Sequence, residues 1–272
     1  MTTLTDVPTT ITTVNVNGLR AAARKGLLDW LDTTGADIVC LQETRARPEQ
    51  LTTALTRHPR YHLLLAPADE PGRSGVAIYT RTPPHTHRTG FATPEFDKAG
   101  RYLEADIGDL TVASIYLPSG EVGTPRQDAK HRFMDAFLPY LTHRVHDTTT
   151  RGRHLLLCGD LNIAHHPADL KNWRNNRNHS GFLDHERAWL TRLLHTTGCR
   201  DVVRTLHPDT PGPYTWWSYR GRAFDNDAGW RIDYHLATPA LARTAHHARV
   251  ERAPTHDRRW SDHAPVTVTY TP

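Results

Sequence analysis

Short polar side chains recur in this 272-residue chain at the points where apolar runs end. Asn15 and Asn17 follow TITTV, Glu43 follows DIVCLQ, Tyr116 follows TVASI, and Asp160 with Asn162 follows HLLLCG. Asp233 stands within WRID, and Asp262 with His263 precedes the last apolar run. Taken singly, each has an ordinary reading as a turn former or helix cap. Asp160 and Asn162 lie one residue apart, so in an extended segment both face the same side. Carboxylates, amides, a phenol and an imidazole held at the ends of buried strands would suit a metal and phosphate site, because rigid strands keep ligands within narrow geometric tolerance.

The elements that would position these residues alternate in kind. Thr10 to Val16 alternates at period two, Leu19 to Leu31 carries helical spacing, and Asp37 to Gln42 reads as a buried strand, giving β-α-β at the start. Further strands are expected at Tyr61 to Ala66, Gly75 to Thr80, Tyr102 to Ile107, Leu110 to Tyr116, His154 to Gly159, Tyr214 to Tyr219, Trp230 to Ala237 and Val266 to Tyr270. Helices fit Pro48 to Arg57, Thr124 to Val145 and Leu183 to Thr196. So many strands with few long helices predict an α/β sandwich, two packed sheets covered by helices on their outer faces. Pro67 to Arg73, Thr82 to Gly100 and Thr205 to Pro213 read as surface loops, none long enough to be a linker. Residues 1–272 are therefore expected to form one domain, with 1–9 a loose N-terminal segment.

With 38% hydrophobic and 23% charged residues, disorder and coiled coil are disfavoured. No run approaches the ~18 to 20 apolar residues of a membrane span. The start MTTLTDVPTT lacks the basic and apolar regions of a secretory signal. Cys40, Cys158 and Cys199 form an odd set without metal-binding spacing, which suits a reducing cytosol. A net charge of +4 is too small to show nucleic-acid binding by itself, but it eases the approach of an anionic substrate. Lys171 to Gly181 (KNWRNNRNHSG) mixes cations, Asn and one Trp without a carboxylate, and its ordinary reading is a solvated loop.

Read in order, NVNGLRA, DIVCLQET, SGVAIY, IYLPSG, CGDLNIAH, GWRIDY and SDHAP resemble the exonuclease III family of apurinic/apyrimidinic endonucleases, from about Thr10 to Thr269. The resemblance implies a four-layer α/β sandwich and Mg²⁺-dependent hydrolysis of DNA phosphodiesters, with Mn²⁺ as a substitute. It implies metal ligation by Glu43, support from Asn15, and a metal shell completed by Asp262, with Asp160, Asn162 and His263 in the wider ligand set. Asp160 and Asn162 would hold the attacking water, Asp160 as base. His263, oriented by Asp233, would act on the phosphate, to which Tyr116 would offer its phenol.

Trp216, Trp230 and Ile232 look like an apolar pocket for a flipped abasic sugar. Arg174, Asn176 and Arg177 would meet the DNA backbone. Three departures stand out: some relatives carry Asp where this chain has Asn17, Asn near His179, and Asn where it has Ser119. FLDHERAWL also differs from the related helix start, and Asp184 there reads as an N-terminal helix carboxylate. The implied partner is double-stranded DNA with abasic sites or 3′ ends. Neither a membrane nor an obligate protein partner is expected, and the chain would be a monomer, cytoplasmic and nucleoid-associated through DNA. The alternatives are a phosphoesterase of the same fold acting on a small or lipid phosphate, against which YTWWSYR and KNWRNNR weigh, and a catalytically silent DNA-binding protein, against which Glu43, Asp160, Asn162, Asp233 and His263 weigh.

Overall fold

The computed structural model describes residues 8–271. Its strands are β1 (Thr9–Asn15), β2 (Ile38–Gln42), β3 (His62–Ala66), β4 (Val76–Thr80), β5 (Thr86–Thr89), β6 (Tyr102–Ile107), β7 (Leu110–Tyr116), β8 (His154–Asp160), β9 (Arg200–Asp201), β10 (Asp233–Ala237), β11 (Ala245–Val250) and β12 (Val266–Tyr270). The α-helices are α1 (Leu19–Ala22), α2 (Leu28–Thr33), α3 (Thr53–Thr56), α4 (Pro94–Asp97), α5 (Pro125–Thr150), α6 (Trp173–Asn176), α7 (Asp184–Thr197), α8 (Val202–Leu206) and α9 (Pro239–Thr244). The strands form two six-stranded mixed sheets, ordered β11-β12-β1-β2-β4-β3 and β5-β6-β7-β8-β10-β9. Near the middle of each lies one parallel pair, β1 with β2 and β7 with β8.

Side-chain alternation divides the apolar residues between layers. In β2, Ile38 and Cys40 enter the core between the sheets, while Val39 and Leu41 face α1 and α2. In β8, Leu156 and Cys158 point inward, and Leu155 and Leu157 meet α5 and α7. Both faces of these strands are covered, which is why they read as continuous apolar runs rather than as alternation. Phe133, Phe137 and Leu141 of α5 lie on the helical period and pack on the second sheet. Thr124 caps α5 by accepting from the Arg126 N–H at 3.2 Å, ahead of Pro125 in the first turn. The result is helix, sheet, sheet, helix, the expected four-layer sandwich.

Several local expectations are corrected. The helix expected over Leu19 to Leu31 is broken by a π-helical turn at Ala23–Leu27, where Gly26 takes φ 119°. Pro48 to Arg57 yields only a 3₁₀ turn at Pro48–Gln50 and the four-residue α3. Tyr214 to Tyr219 is not a strand: Trp216 makes isolated bridges to Trp230 and His263, and β10 begins only at Asp233. The Thr82 to Gly100 loop contains β5 and α4. Of the loose segment expected at residues 1–9, residues 1–7 lie outside the described residues, and Thr9 is already paired with Tyr270 in β1. Among the described residues no helix is long and apolar enough to cross a membrane.

Candidate active site

Strand direction gathers the polar clusters at one edge of the sandwich. The parallel pairs deliver the C-terminal ends of β1, β2, β7 and β8, and with them Asn15, Glu43, Tyr116 and Asp160, to that edge. In the second sheet antiparallel register sets the first residue of β10, Asp233, opposite Asp160. In the first sheet β12 runs antiparallel to β1, with Val266 opposite Thr13, so the SDHAP segment before it also ends there. Three residues just past strand ends, Asn17, Glu43 and Asn162, take left-handed φ of 46°, 52° and 50°. Non-glycine residues seldom adopt such values, and a cluster of them marks a region where backbone strain is held by its surroundings.

The side chains interlock across the two sheets. Asn15 donates its amide to Glu43 Oε1 and to Asp160 Oδ2, both at 2.9 Å, while its Oδ1 accepts the Asn17 N–H at 2.9 Å. Asn17 in turn donates to Asp262 Oδ1 at 2.9 Å, and the Trp216 indole donates to Asp262 Oδ2 at 3.0 Å. Asp160 Oδ1 accepts the Asn162 N–H at 2.8 Å, and the Asn162 amide donates to the Leu117 carbonyl at 2.9 Å. His263 Nδ1 donates to Asp233 Oδ2 at 2.8 Å, the same oxygen that accepts from Thr215 Oγ1 at 2.6 Å. That leaves His263 Nε2 directed at Asp160 Oδ2, 3.8 Å away. Ser261 Oγ locks the SDHAP segment to β1 by donating to the Asn15 carbonyl at 2.6 Å.

Burial and charge set the protonation of this group. Burial and the neighbouring Asp233 push the Asp160 carboxyl up to about 7, against the pull of His263 and of hydrogen bonds from Asn15 and Asn162. Burial opposes charge on His263, but Asp233 first, then Asp160 and Asp262, outweigh it and raise the imidazole to about 10. The Tyr116 phenol is driven well above its usual range by burial and by Glu43 and Asp160, although Arg101 pulls the other way. Arg101 sits 4.9 Å over the Tyr116 ring. Tyr116, Arg101 and Glu43 line a cavity of about 640 Å³ together with Arg45, Arg73 and Arg126.

One buried group at this edge could hold a cation. Asp160, Asp233 and His263 present ligand atoms within 4.8 Å of one another. Asp233 Oδ1 is buried there without a hydrogen-bond partner. A hard cation such as Mg²⁺ takes oxygen ligands, which the carboxylates of Asp160 and Asp233 would supply there. Glu43 and Asp262 are tied to the same edge through the hydrogen bonds of Asn15 and Asn17. Asn15 turns its amide nitrogen, not its oxygen, toward Glu43, and so orients the carboxylate instead of adding a ligand on that side. Arg45 also donates to Glu43, through Nε at 2.9 Å.

The DNA-facing candidates lie beside this centre. Trp216 and Trp230 meet edge to face with ring centres 6.1 Å apart, and Ile232, 5% exposed, forms the buried floor beneath them with Leu170 and Phe182. The tract after Leu170 contains α6, whose Trp173 packs on the same cluster while the Arg174 guanidinium lies 4.5 Å over the Trp173 ring. Arg174 and Arg177 are exposed and Asn176 is half-buried. Ser119 Oγ accepts from the Arg126 guanidinium at 3.0 Å.

The sequence reading missed Thr215, Arg101, Lys130, Glu186 and the buried salt bridges of Arg231 to Asp169 and Asp201. Arg231 fixes the segment between Trp230 and Asp233, its N–H donating to the Asp169 carbonyl at 2.8 Å. Their signal in the sequence was slight: Lys130 is one of few lysines in an arginine-rich chain, and Arg231 sits inside a motif otherwise read for its neighbours.

Known proteins resemble this chain in sequence and fold. Residues 12–263 match the model of the endonuclease/exonuclease/phosphatase family. The chain is 37% identical to an exodeoxyribonuclease of Bacillus subtilis, over 93% of this chain and 95% of that protein. It superposes with a TM-score of 0.86 on an AP endonuclease from Archaeoglobus fulgidus, at 28% identity over 96% of this chain and 99% of that one. The TM-score is also 0.86 for a Neisseria 3′ phosphatase bound to product DNA hairpin, at 29% identity and the same coverage.

Proposed function

Because the chain belongs to the endonuclease/exonuclease/phosphatase family, a family of metal-dependent hydrolases, we propose that it is a DNA-repair nuclease. It hydrolyses the phosphodiester 5′ of abasic sites with Mg²⁺, or Mn²⁺ in its place, and removes nucleotides or blocking groups from 3′ ends. The observation that carries this reading is the gathering of Asn15, Glu43, Asp160, Asp233 and His263, drawn from both sheets, at a single edge. There Asn15 hydrogen-bonds Glu43 and Asp160, His263 hydrogen-bonds Asp233, and His263 Nε2 lies 3.8 Å from Asp160. The pairing of exodeoxyribonuclease, AP endonuclease and 3′ phosphatase among its relatives supports both substrate types.

A phosphodiester repels hydroxide through its own charge, so the site must neutralise that charge, aim a water and stabilise the leaving 3′ oxygen. Glu43 and Asp262 would hold the cation, which when bound neutralises phosphate charge and stabilises the leaving oxygen. Asp160, raised to about 7 chiefly by burial, is positioned to take a proton from a water held with Asn162. His263, kept cationic by Asp233, donates from Nε2 to a phosphate oxygen, and Thr215 keeps Asp233 aimed at the ring. Tyr116, neutral because burial raises it, adds a phenolic donor. Preorganised donors of this kind typically contribute ~3 to 4 kcal/mol each to the transition state.

Trp216 and Trp230 form walls that admit an abasic sugar over Ile232, and Arg174, Asn176 and Arg177 meet the phosphates beyond it. We read the protein as one domain acting as a cytoplasmic monomer, supported by three buried free cysteines and by site residues that span the chain from Asn15 to His263. Incision of a duplex carrying one abasic analogue, with and without Mg²⁺, tests the function for wild type and His263→Ala. A metal-dependent nick by the wild type and its loss in the variant are expected. No nick by the wild type, or full-rate cutting by His263→Ala, would overturn the reading.

A further inference from the structure

Three loops that rim the site leave different elements yet converge on one buried ion pair. Lys130 of α5 and Glu186 of α7 are both fully buried, with Nζ 2.8 Å from Oε1. Nζ also donates to the Asn162 carbonyl at 2.8 Å and lies 3.3 Å from Ser180 Oγ and 3.4 Å from the Ser119 carbonyl. Glu186 Oε1 accepts from the Gln127 amide at 2.9 Å, and Oε2 accepts the N–H groups of Gly181 at 2.6 Å and Leu183 at 3.3 Å. Ser180 Oγ bridges the two sides, 3.0 Å from Glu186 Oε1 and 2.8 Å from the Ser119 carbonyl. The approach is close enough that Gly120, at φ 72°, cannot carry a side chain: a Cβ would meet Ser180 Oγ at 2.3 Å and Gln127 Oε1 at 2.5 Å.

A buried Lys–Glu pair is a poor way to stabilise a fold, since well-packed apolar residues of similar volume commonly do as well or better. What an apolar pair cannot do is satisfy the carbonyls of Ser119 and Asn162 and the N–H groups of Gly181 and Leu183 at one point. Asn162 is the residue that most needs such a partner, because its left-handed backbone must be held while its N–H and amide engage Asp160 and Leu117. Gly181 closes the 171–181 tract, and its carbonyl accepts the Ala164 N–H at 2.8 Å, two residues beyond Asn162.

We propose that Lys130 and Glu186 are positioning residues: the pair sets Asn162 beside Asp160 and docks the 171–181 tract and the Ser119 loop onto it, so that phosphate anchoring and the catalytic carboxylate share one register. The proposal rests on the nuclease reading of the site for its kinetic consequence, but not for its structural one.

The test compares wild type with K130M and K130M/E186M by urea unfolding, by amide hydrogen exchange, and by kcat and KM on abasic duplex. K130M alone leaves a buried carboxylate unpaired and unfolds at lower urea, and the double variant recovers most of that loss. In the double variant, peptides containing Ser119, Asn162 and Gly181 exchange together at least ~10-fold faster while β1 and β2 keep their protection. Its kcat falls ~10-fold or more, with the Mg²⁺ concentration for half activity unchanged. A double variant with wild-type kcat, or with wild-type exchange in those three loops, would overturn the proposal. Should that variant not fold, Ser180→Ala removes only the bridging hydroxyl. It must speed exchange in the Ser119 and Gly181 loops and lower kcat, and wild-type behaviour in both would equally overturn the proposal. If the wild type fails to incise abasic DNA, the function is refuted and the exchange results still decide the junction.

Discussion

His235 offers a measurement of how the strand beneath the site is held. It lies on β10, two residues from Asp233, fully buried between the sheets, with Nε2 3.1 Å from the Val266 carbonyl and Nδ1 3.1 Å from the Tyr270 hydroxyl. The carbonyl requires a donor at Nε2, so Nδ1 accepts, and the neutral ring satisfies both partners. Burial lowers its pKa from 6.5 to about 4. A folded pKa below the unfolded value means that the unfolded chain binds the proton more readily. The stability from a neutral His235 is therefore complete above about pH 6.5 and is lost as pH falls toward 4.

Between pH 7 and pH 5 the two titrations differ by about 2 kcal/mol for this one residue. Urea unfolding at the two pH values should show that loss in the wild type. His235→Gln, which keeps a donor and an acceptor but does not titrate, should lose about 2 kcal/mol less over the same interval. Equal losses in the two proteins would refute the assignment of a buried neutral imidazole.

The site predicts further outcomes. Glu43→Gln removes a carboxylate from the cation group, so the Mg²⁺ needed for half-maximal incision should rise ~10-fold or more, read by metal titration of the nicking rate. Arg174→Ala and Arg177→Ala each remove one exposed cation, and each should reduce the slope of log K against log salt by about 1 without changing the product. Trp216→Ala removes both a wall of the apolar pocket and the indole bond to Asp262. It should raise KM for abasic duplex more than for a recessed 3′ end, measured with the two substrates in parallel.

Much of this arrangement was legible because the central strands are buried on both faces. DIVCLQ, TVASI and HLLLCG are apolar whichever layer each side chain joins, and the polar residue that ends each run marks the sandwich edge. Elements without that signature were missed. β5, THRT, is an exposed edge strand, and β11, AHHARV, carries two adjacent histidines where its register shifts, so neither displays an apolar period. Aromatic density in TWWS suggested a strand, but Trp216 and Trp217 are instead divided between two small clusters on either side of an isolated bridge.

Within the site, the residues at strand ends, including the buried Asn15 and Asp233, were found, and the supports drawn from other parts of the chain were not. Thr215, Lys130, Glu186 and Arg231 act through partners distant along the chain, such as Asn162 for Lys130, and one sequence carries no record of which distant polar residues are paired. The left-handed backbone of Glu43 was hidden, since glutamate carries no preference for φ near 50°, whereas Asn162 belongs to a type that visits that region more readily.

The reaction proposed for this site is metal-dependent hydrolysis of the bond 5′ of an abasic sugar. The most direct test is mass analysis of the termini produced from an abasic duplex by wild-type protein in Mg²⁺ and in excess chelator. Wild-type protein should give a 3′-hydroxyl and a 5′-deoxyribose phosphate in Mg²⁺ and leave the strand intact in chelator. A cleaved strand ending in an unsaturated 3′ aldehyde, or the same nick persisting in chelator, would contradict it.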